Sequence, residues 1–163
     1  MIVRREEQIA WIAQKVHDND YTIVLTGGVF DWLHHGHIRS FQEALAYPAL
    51  HDDERETILF VAVNEDISAE HFKREPALTQ EHRAFILDSI HIVDVVVLFP
   101  ASNPANIIRL IEPDYYLKGE EYKLEDLPER QALESCRTVY IPCKKRITVS
   151  STTELIKRGA RNA

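Results

Sequence analysis

Little in this sequence points toward a membrane or an oxidising compartment. It has two cysteines, Cys136 and Cys143, and they do not form a CxxC pair. Two thiols at that spacing make no metal cage and suit a reducing cytoplasm. No apolar run approaches the roughly 20 residues of a membrane helix. Met1 to Glu7 carries charge with no apolar signal region behind it, so secretion is not expected. Neither end carries a lipidation motif. There is no internal repeat and no Pro/Ser/Gly-rich linker. The Walker A and GxGxxG patterns are missing, as is any Ser-His-Asp or Cys-His nucleophile signature. Basic charge is scarce: 19 Lys and Arg stand against 26 Asp and Glu, a net charge of −7 with His neutral. A protein that grips nucleic acid over its whole surface is normally basic, so no nucleic-acid partner and no membrane partner is expected. An acidic chain can still hold phosphates, but it needs a local basic pocket.

What is present is enough for one buried core. A chain of 163 residues, 45% hydrophobic, suits a single domain spanning 1–163, with residues 1–19 as an N-terminal helix packed on it. Val3 to His17 has Ile9, Ile12, Ala13 and Val16 at helical spacing. Tyr21 to Leu25 reads as a buried strand feeding the turn at Gly27-Gly28. Helices follow at Gly36 to Tyr47, Thr79 to about His91, Pro104 to Ile111 and Leu127 to Ser135, with a last one capped by Ser151. Further strands are expected at Thr57 to Val63, within Val93 to Phe99, at Asp114 to Leu117 and at Thr138 to Ile141. Strands alternating with helices predict an α/β fold. It would be a Rossmann-like, doubly wound parallel sheet of about five strands, with helices on both faces. Ligands of such sheets sit beyond the carboxyl ends of the strands, where strand order reverses.

Thr26 to His37 is the most informative stretch. Gly27-Gly28 lets backbone approach a ligand closely. His34 and His37 share a face if they open a helix, and a helix N-terminus is an anion site. Three histidines in four residues could also be incidental on a loop. With Asp31 they could instead be metal ligands. The spacing leaves all three open. Lys144 to Ala163 holds six bases and one acid, while Glu112 to Glu134 holds eight acids and three bases. Lys144, Lys145 and Arg146 follow the fifth strand at the expected ligand edge. Lys157, Arg158 and Arg161 read more simply as a solvated helix face. Trp32 and Phe30 read as packing under the loop, and Trp11 as core or a subunit interface.

The stretch His34-His35-Gly36-His37 after Gly27-Gly28-Val29-Phe30-Asp31 resembles the HxGH signature of the cytidylyltransferase-like nucleotidyltransferases. Glu81-His82-Arg83 and Ser151-Thr152-Thr153 resemble the middle and C-terminal motifs of that family. Val63 to Asp66, Pro113-Asp114 and Lys118-Gly119-Glu120-Glu121-Tyr122 are most similar to the adenylyltransferase domain of the ADP-heptose synthase group, whose last motif resembles KGxDY. Glycerol-3-phosphate cytidylyltransferases have MGxDW there and an RTxGISTT motif. In Arg146 to Thr153 the Arg and the STT are kept, and Val149 stands at the glycine.

The resemblance implies attack by a sugar or polyol phosphate on the α-phosphorus of a nucleoside triphosphate, with loss of pyrophosphate. It implies His34, His37 and Lys73 as catalytic. It implies nucleotide contacts from Gly27, Gly28, Val29, Phe30, Gly36, Lys118, Arg146, Ser151, Thr152 and Thr153. Substrate contacts would come from Asp31, Asn64, Arg74 and Arg83. From the residues alone, Arg83 could equally pin the Lys73 loop or pair with Glu81 or Asp88. Mg²⁺ would arrive with the triphosphate, and no protein-held metal is expected. ATP with heptose 1-phosphate is the first expectation, and CTP with a glycerol phosphate the second. A flavin or pantetheine adenylyltransferase, a nucleotide-sensing module and a metal-dependent hydrolase are the other rivals. A cytoplasmic homodimer served by a pathway kinase on a separate chain completes the expectation.

Overall fold

The computed structural model describes residues 1–69, 76–100 and 103–143. In chain order the strands are β1 (Ile2–Val3), β2 (Thr22–Gly28), β3 (Thr57–Asn64), β4 (Val95–Phe99), β5 (Tyr115–Gly119) and β6 (Val139–Cys143). The helices are α1 (Glu6–Asp18), α2 (His35–Ala46), α3 (Asp66–Ala69), α4 (Gln80–Asp88), α5 (Ala105–Ile111) and α6 (Arg130–Ser135). The strands form one sheet in the order β1-β4-β3-β2-β5-β6, and each neighbouring pair is parallel. This is the expected Rossmann-like α/β sheet, with a sixth strand added.

Alternation along the strands assigns the two faces. Ile23 and Leu25 of β2 share one core with Ile9, Ile12 and Ala13 of α1, Ile107, Ile108 and Ile111 of α5, and Ala132 and Leu133 of α6. Val24 points the other way, into a second core with Phe41 and Ala44 of α2 and Ala84 and Leu87 of α4. Successive side chains of a strand face opposite sides, so a sheet covered on both faces needs continuous apolar runs. Tyr21 to Leu25 and Thr57 to Val63 supply them.

Several details differ from the sequence reading. Ile2 and Val3 form an edge strand instead of helix, paired with Val96 and Val97, and α1 starts at Glu6. A two-residue strand shows no periodicity, and only the exposed edge of β4 makes it one. Helix α6 starts at Arg130, not Leu127, because Leu127 is extended; the ring of Pro128 disfavours helical backbone before it. Trp11 is 63% exposed and so is not a core residue.

The chain leaves β2 for β3 and β4 on one side, then returns for β5 and β6 on the other. The order therefore reverses between β2 and β5, and the carboxyl ends at such a reversal are where sheets of this kind form their ligand crevice. The opposite, amino end is sealed by charge. Arg55 binds both carboxylate oxygens of Asp53 at 2.8–2.9 Å and Asp114 at 3.0 Å. Asp53 accepts the Thr22 hydroxyl and Asp114 the Ile23 amide. Among the described residues no helix is long and apolar enough to cross a membrane.

Candidate active site

The turn after β2 is built around one strained residue. Phe30 has φ 51°, a left-handed conformation uncommon for a bulky side chain. Its ring is buried, edge-on to His37 at 5.5 Å and tilted on Phe41 at 5.8 Å. A Cβ on Gly28 would stand 3.3 Å from that ring. Glycine thus leaves room for Phe30 to support His37 from beneath. Phe30 packs under the loop as expected, whereas Trp32 is 47% exposed and does not.

His34 is the N-cap of α2. Its Nδ1 accepts the Gly36 amide at 3.1 Å, and His37 Nδ1 accepts the His34 amide at 3.3 Å. The two rings stack with centroids 4.0 Å apart. Gly36 is required between them, because a Cβ there would lie 2.8 Å from the His34 ring. The consequence is chemical. A neutral imidazole whose Nδ1 accepts a hydrogen bond carries its proton on Nε2. Each histidine therefore has a donor turned away from its own backbone. Burial, then the charge of His35, takes His34 below its ordinary value. Burial, then His34, takes His37 down to about 4. Both rings are neutral at pH 7. The site offers two Nε2–H donors and a helix N-terminus to an anion, not two positive charges.

Arg83 braces the surrounding loops. It has no exposed surface. Its guanidinium donates to the carbonyls of Val29, Asn64 and Leu78 and to Asp66. These are the loops after β2 and β3 and the lead-in to α4. Of the pairings open to Arg83 in the sequence, neither Glu81 nor Asp88 is taken: Glu81 binds Arg4 and Asp88 the Met1 amine. Its bonds to Asp66 and to the Leu78 carbonyl agree instead with the loop-pinning role, although Lys73 itself lies outside the described residues. Asp66 and Gln80 exchange two backbone-to-side-chain bonds beside it. Asp31 is buried and accepts the Leu78 amide at 3.0 Å. Asn64, also buried, ends β3 and gives its carbonyl to Arg83.

Gly27, Gly28, Val29, Phe30, Asp31, His34, Gly36 and His37 thus converge on the carboxyl edge of β2. Asn64 joins them from the neighbouring strand. Lys118 comes from the other side of the crevice, one residue beyond the Thr26–Leu117 pairing. Lys73, Arg74, Arg146, Ser151, Thr152 and Thr153 lie outside the described residues, as do Lys144 and Lys145. Among the described residues no three His, Cys, Asp or Glu side chains gather as metal ligands. With both Nδ1 atoms and an Asp31 oxygen engaged by backbone amides, the donor set suits phosphate rather than a resident metal. Cys143 is buried and its thiol is pushed up to about 11, burial being the main cause. Gln80, Tyr116 and Glu129 carry no distinguishing mark in the sequence; each acts through a partner distant in the chain.

The sequence has known relatives. Residues 25–158 match the cytidylyltransferase-like family. The chain belongs to that family. It is 33% identical over 98% of its length to the bifunctional protein HldE of Aliarcobacter butzleri, covering 31% of that protein. It is 36% identical over 68% of its length to HldE of Helicobacter pylori, covering 23%. It therefore spans about a third or less of these curated relatives. In fold it is similar to a lipopolysaccharide core biosynthesis protein from Thermoplasma volcanium, with TM-score 0.58 and 23% identity over 80% of this chain and 98% of that one. A pantoate-beta-alanine ligase from Francisella tularensis gives TM-score 0.59 at 14% identity, covering all of this chain and 78% of the ligase. Family membership makes this cytidylyltransferase-like chain a nucleotidyltransferase.

Proposed function

We propose that the chain transfers a nucleotidyl group from ATP to heptose 1-phosphate, giving ADP-heptose and pyrophosphate. A phosphate oxygen of the sugar phosphate attacks the α-phosphorus. The bond from that phosphorus to the bridging oxygen breaks, and pyrophosphate carries the electron pair away. A phosphate monoester has its second pKa at about 6 and is already ionised at neutral pH, so no enzymic base is required. What remains is to hold two anions together and stabilise the charge that develops, the usual task in phosphoryl transfer.

The observation that carries this reading is the pair of Nε2–H donors on His34 and His37 at the start of α2, beside a glycine turn at the strand-order reversal. Preorganised donors of this kind are each worth roughly 10²–10³ in rate. Gly27, Gly28, Val29 and Phe30 offer backbone to the triphosphate, and Lys118 a charge. Lys73, Arg74, Arg146, Ser151, Thr152 and Thr153 are assigned the remaining phosphate contacts. Mg²⁺ would neutralise charge on the phosphates when bound with the nucleotide. Asp31 and Asn64 orient the acceptor, and Arg83 positions the loops that carry them. A homodimer, a cytoplasmic location and a kinase supplying the sugar phosphate belong to the same proposal.

The test is pyrophosphate release with ATP or CTP, each against heptose 1-phosphate and glycerol 3-phosphate, with Mg²⁺. Turnover with ATP and heptose 1-phosphate alone is expected. Turnover only with CTP and glycerol 3-phosphate would keep the chemistry and replace both substrates. Nucleotide binding with no pyrophosphate from any pair would favour a sensing module.

A further inference from the structure

The acidic segment after β5 contains a carboxylate in an unexpected place. Glu129 is 1% exposed. It stands at the N-cap of α6, where Asp, Asn, Ser or Thr would bond the helix amides, and its own side chain makes no such bond. Its Oε1 turns toward β5 instead. There it accepts the Tyr116 hydroxyl at 2.8 Å and the Lys118 ammonium at 2.5 Å. Tyr116 is fully buried and stays protonated, since burial and then the Glu129 charge push it well above its ordinary value. The ammonium also lies 5.2 Å from the Tyr122 ring centroid and 5.7 Å from that of Tyr116, within cation–π range.

Stability alone does not account for this arrangement. Removing two charges from water costs as much as their attraction returns, and apolar side chains of similar volume often serve a fold as well. What the arrangement does achieve is placement. Lys118 Nζ is 3.5 Å from Tyr116 Oη, and that oxygen lies 3.8 Å from where a Gly27 Cβ would stand. A lysine chain carries much rotamer freedom. Here its charge is confined beside the glycine turn.

We propose that Glu129, with Tyr116, is a positioning residue that fixes the Lys118 ammonium against the nucleotide phosphates at the β2–β5 crevice. The inference rests on the nucleotidyltransferase reading above and adds a residue to it. Glu129 meets the buried ends of Tyr116 and Lys118 and acts through the lysine.

The experiment is calorimetric titration of MgATP and MgCTP into wild type, Glu129→Gln, Lys118→Met and the double variant, with thermal unfolding of each. Glu129→Gln keeps the shape and removes the charge. We expect it to weaken MgATP binding roughly tenfold, raising KM more than it lowers kcat. The double variant should bind no more weakly than Lys118→Met alone, since Glu129 then has nothing to position. Tyr116→Phe removes one anchor and should cost several-fold; it keeps the question answerable if Glu129→Gln does not fold. Unchanged or tighter MgATP binding by folded Glu129→Gln, or additive losses in the double variant, would overturn the proposal and leave the nucleotide reading intact. Wild type binding neither nucleotide would overturn that reading, and this inference with it.

Discussion

His34 and His37 cap one another's turn of helix. The ring of His37 accepts the His34 amide, the ring of His34 accepts the Gly36 amide, and the two rings stack 4.0 Å apart. The hydrogen bonds that order the helix start thereby fix both tautomers, so local folding and chemistry are one feature here.

That coupling separates stability from activity at Gly36. Glycine inside a helix costs about 1 kcal/mol relative to alanine. Gly36→Ala gains that term but loses the His34 cap on the Gly36 amide, worth about 1 kcal/mol, so it should leave the unfolding temperature little changed. It should also push the His34 ring aside and lower kcat at least tenfold. Removing a donor altogether, as His37→Ala, should cost roughly 10²-fold or more in kcat with the fold kept. Circular dichroism melts beside turnover rates check both, and a Gly36→Ala variant of full activity would sink the idea.

Neutral histidines give the rate a distinctive pH dependence. Rate should rise with pH through about 6 as the acceptor phosphate loses its second proton, then stay level to pH 8. If catalysis needed an imidazolium, the rate would instead fall as pH rises from 5, because both rings lose their protons below the ordinary 6.5. A kcat/KM profile between pH 5 and 8 distinguishes the two.

Arg83 should be among the least replaceable residues in the chain. Arg83→Met leaves the Val29, Asn64 and Leu78 carbonyls and Asp66 without their shared donor. A loss of roughly 3–5 kcal/mol is expected in denaturant unfolding. Arg83→Lys should recover little, because an ammonium cannot span four acceptors set around a planar fork. Near-wild-type stability of the lysine variant would contradict this.

The charged seal at the other end of the sheet sets an acid limit. The Arg55 guanidinium holds Asp53 down to about 2, from an ordinary 3.8, against the opposing effect of burial. The unfolded chain therefore takes up a proton that the folded chain refuses. The stabilisation is full above pH 3.8 and drains away as pH falls toward 2. Asp53→Asn should be less stable than wild type at pH 6, with the gap closing below pH 3. A gap that persists at pH 2 would show that the carboxylate's charge is not what stabilises.

Residues close in the chain carried their own evidence. The apolar runs of β2 and β3, the helical spacing of Ile9, Ile12 and Ala13, the Thr79 cap and the His34-His35-Gly36-His37 stretch are local patterns. Their geometry follows from rules of a few residues' reach, so the parallel sheet and the histidine pair were legible in the sequence. The edge strand at Ile2–Val3 was not, because two residues have no period and only β4 recruits them. Nor was the burial of Arg83, whose acceptors sit 54, 19, 17 and 5 residues away. Lys118 was visible as a charge after a strand, but Glu129 behind it was one acid among many. The sequence by itself determined which segments become strands and helices, and which donors open α2. Only the tertiary structure decided which buried charges find each other, because desolvation leaves them no other partner.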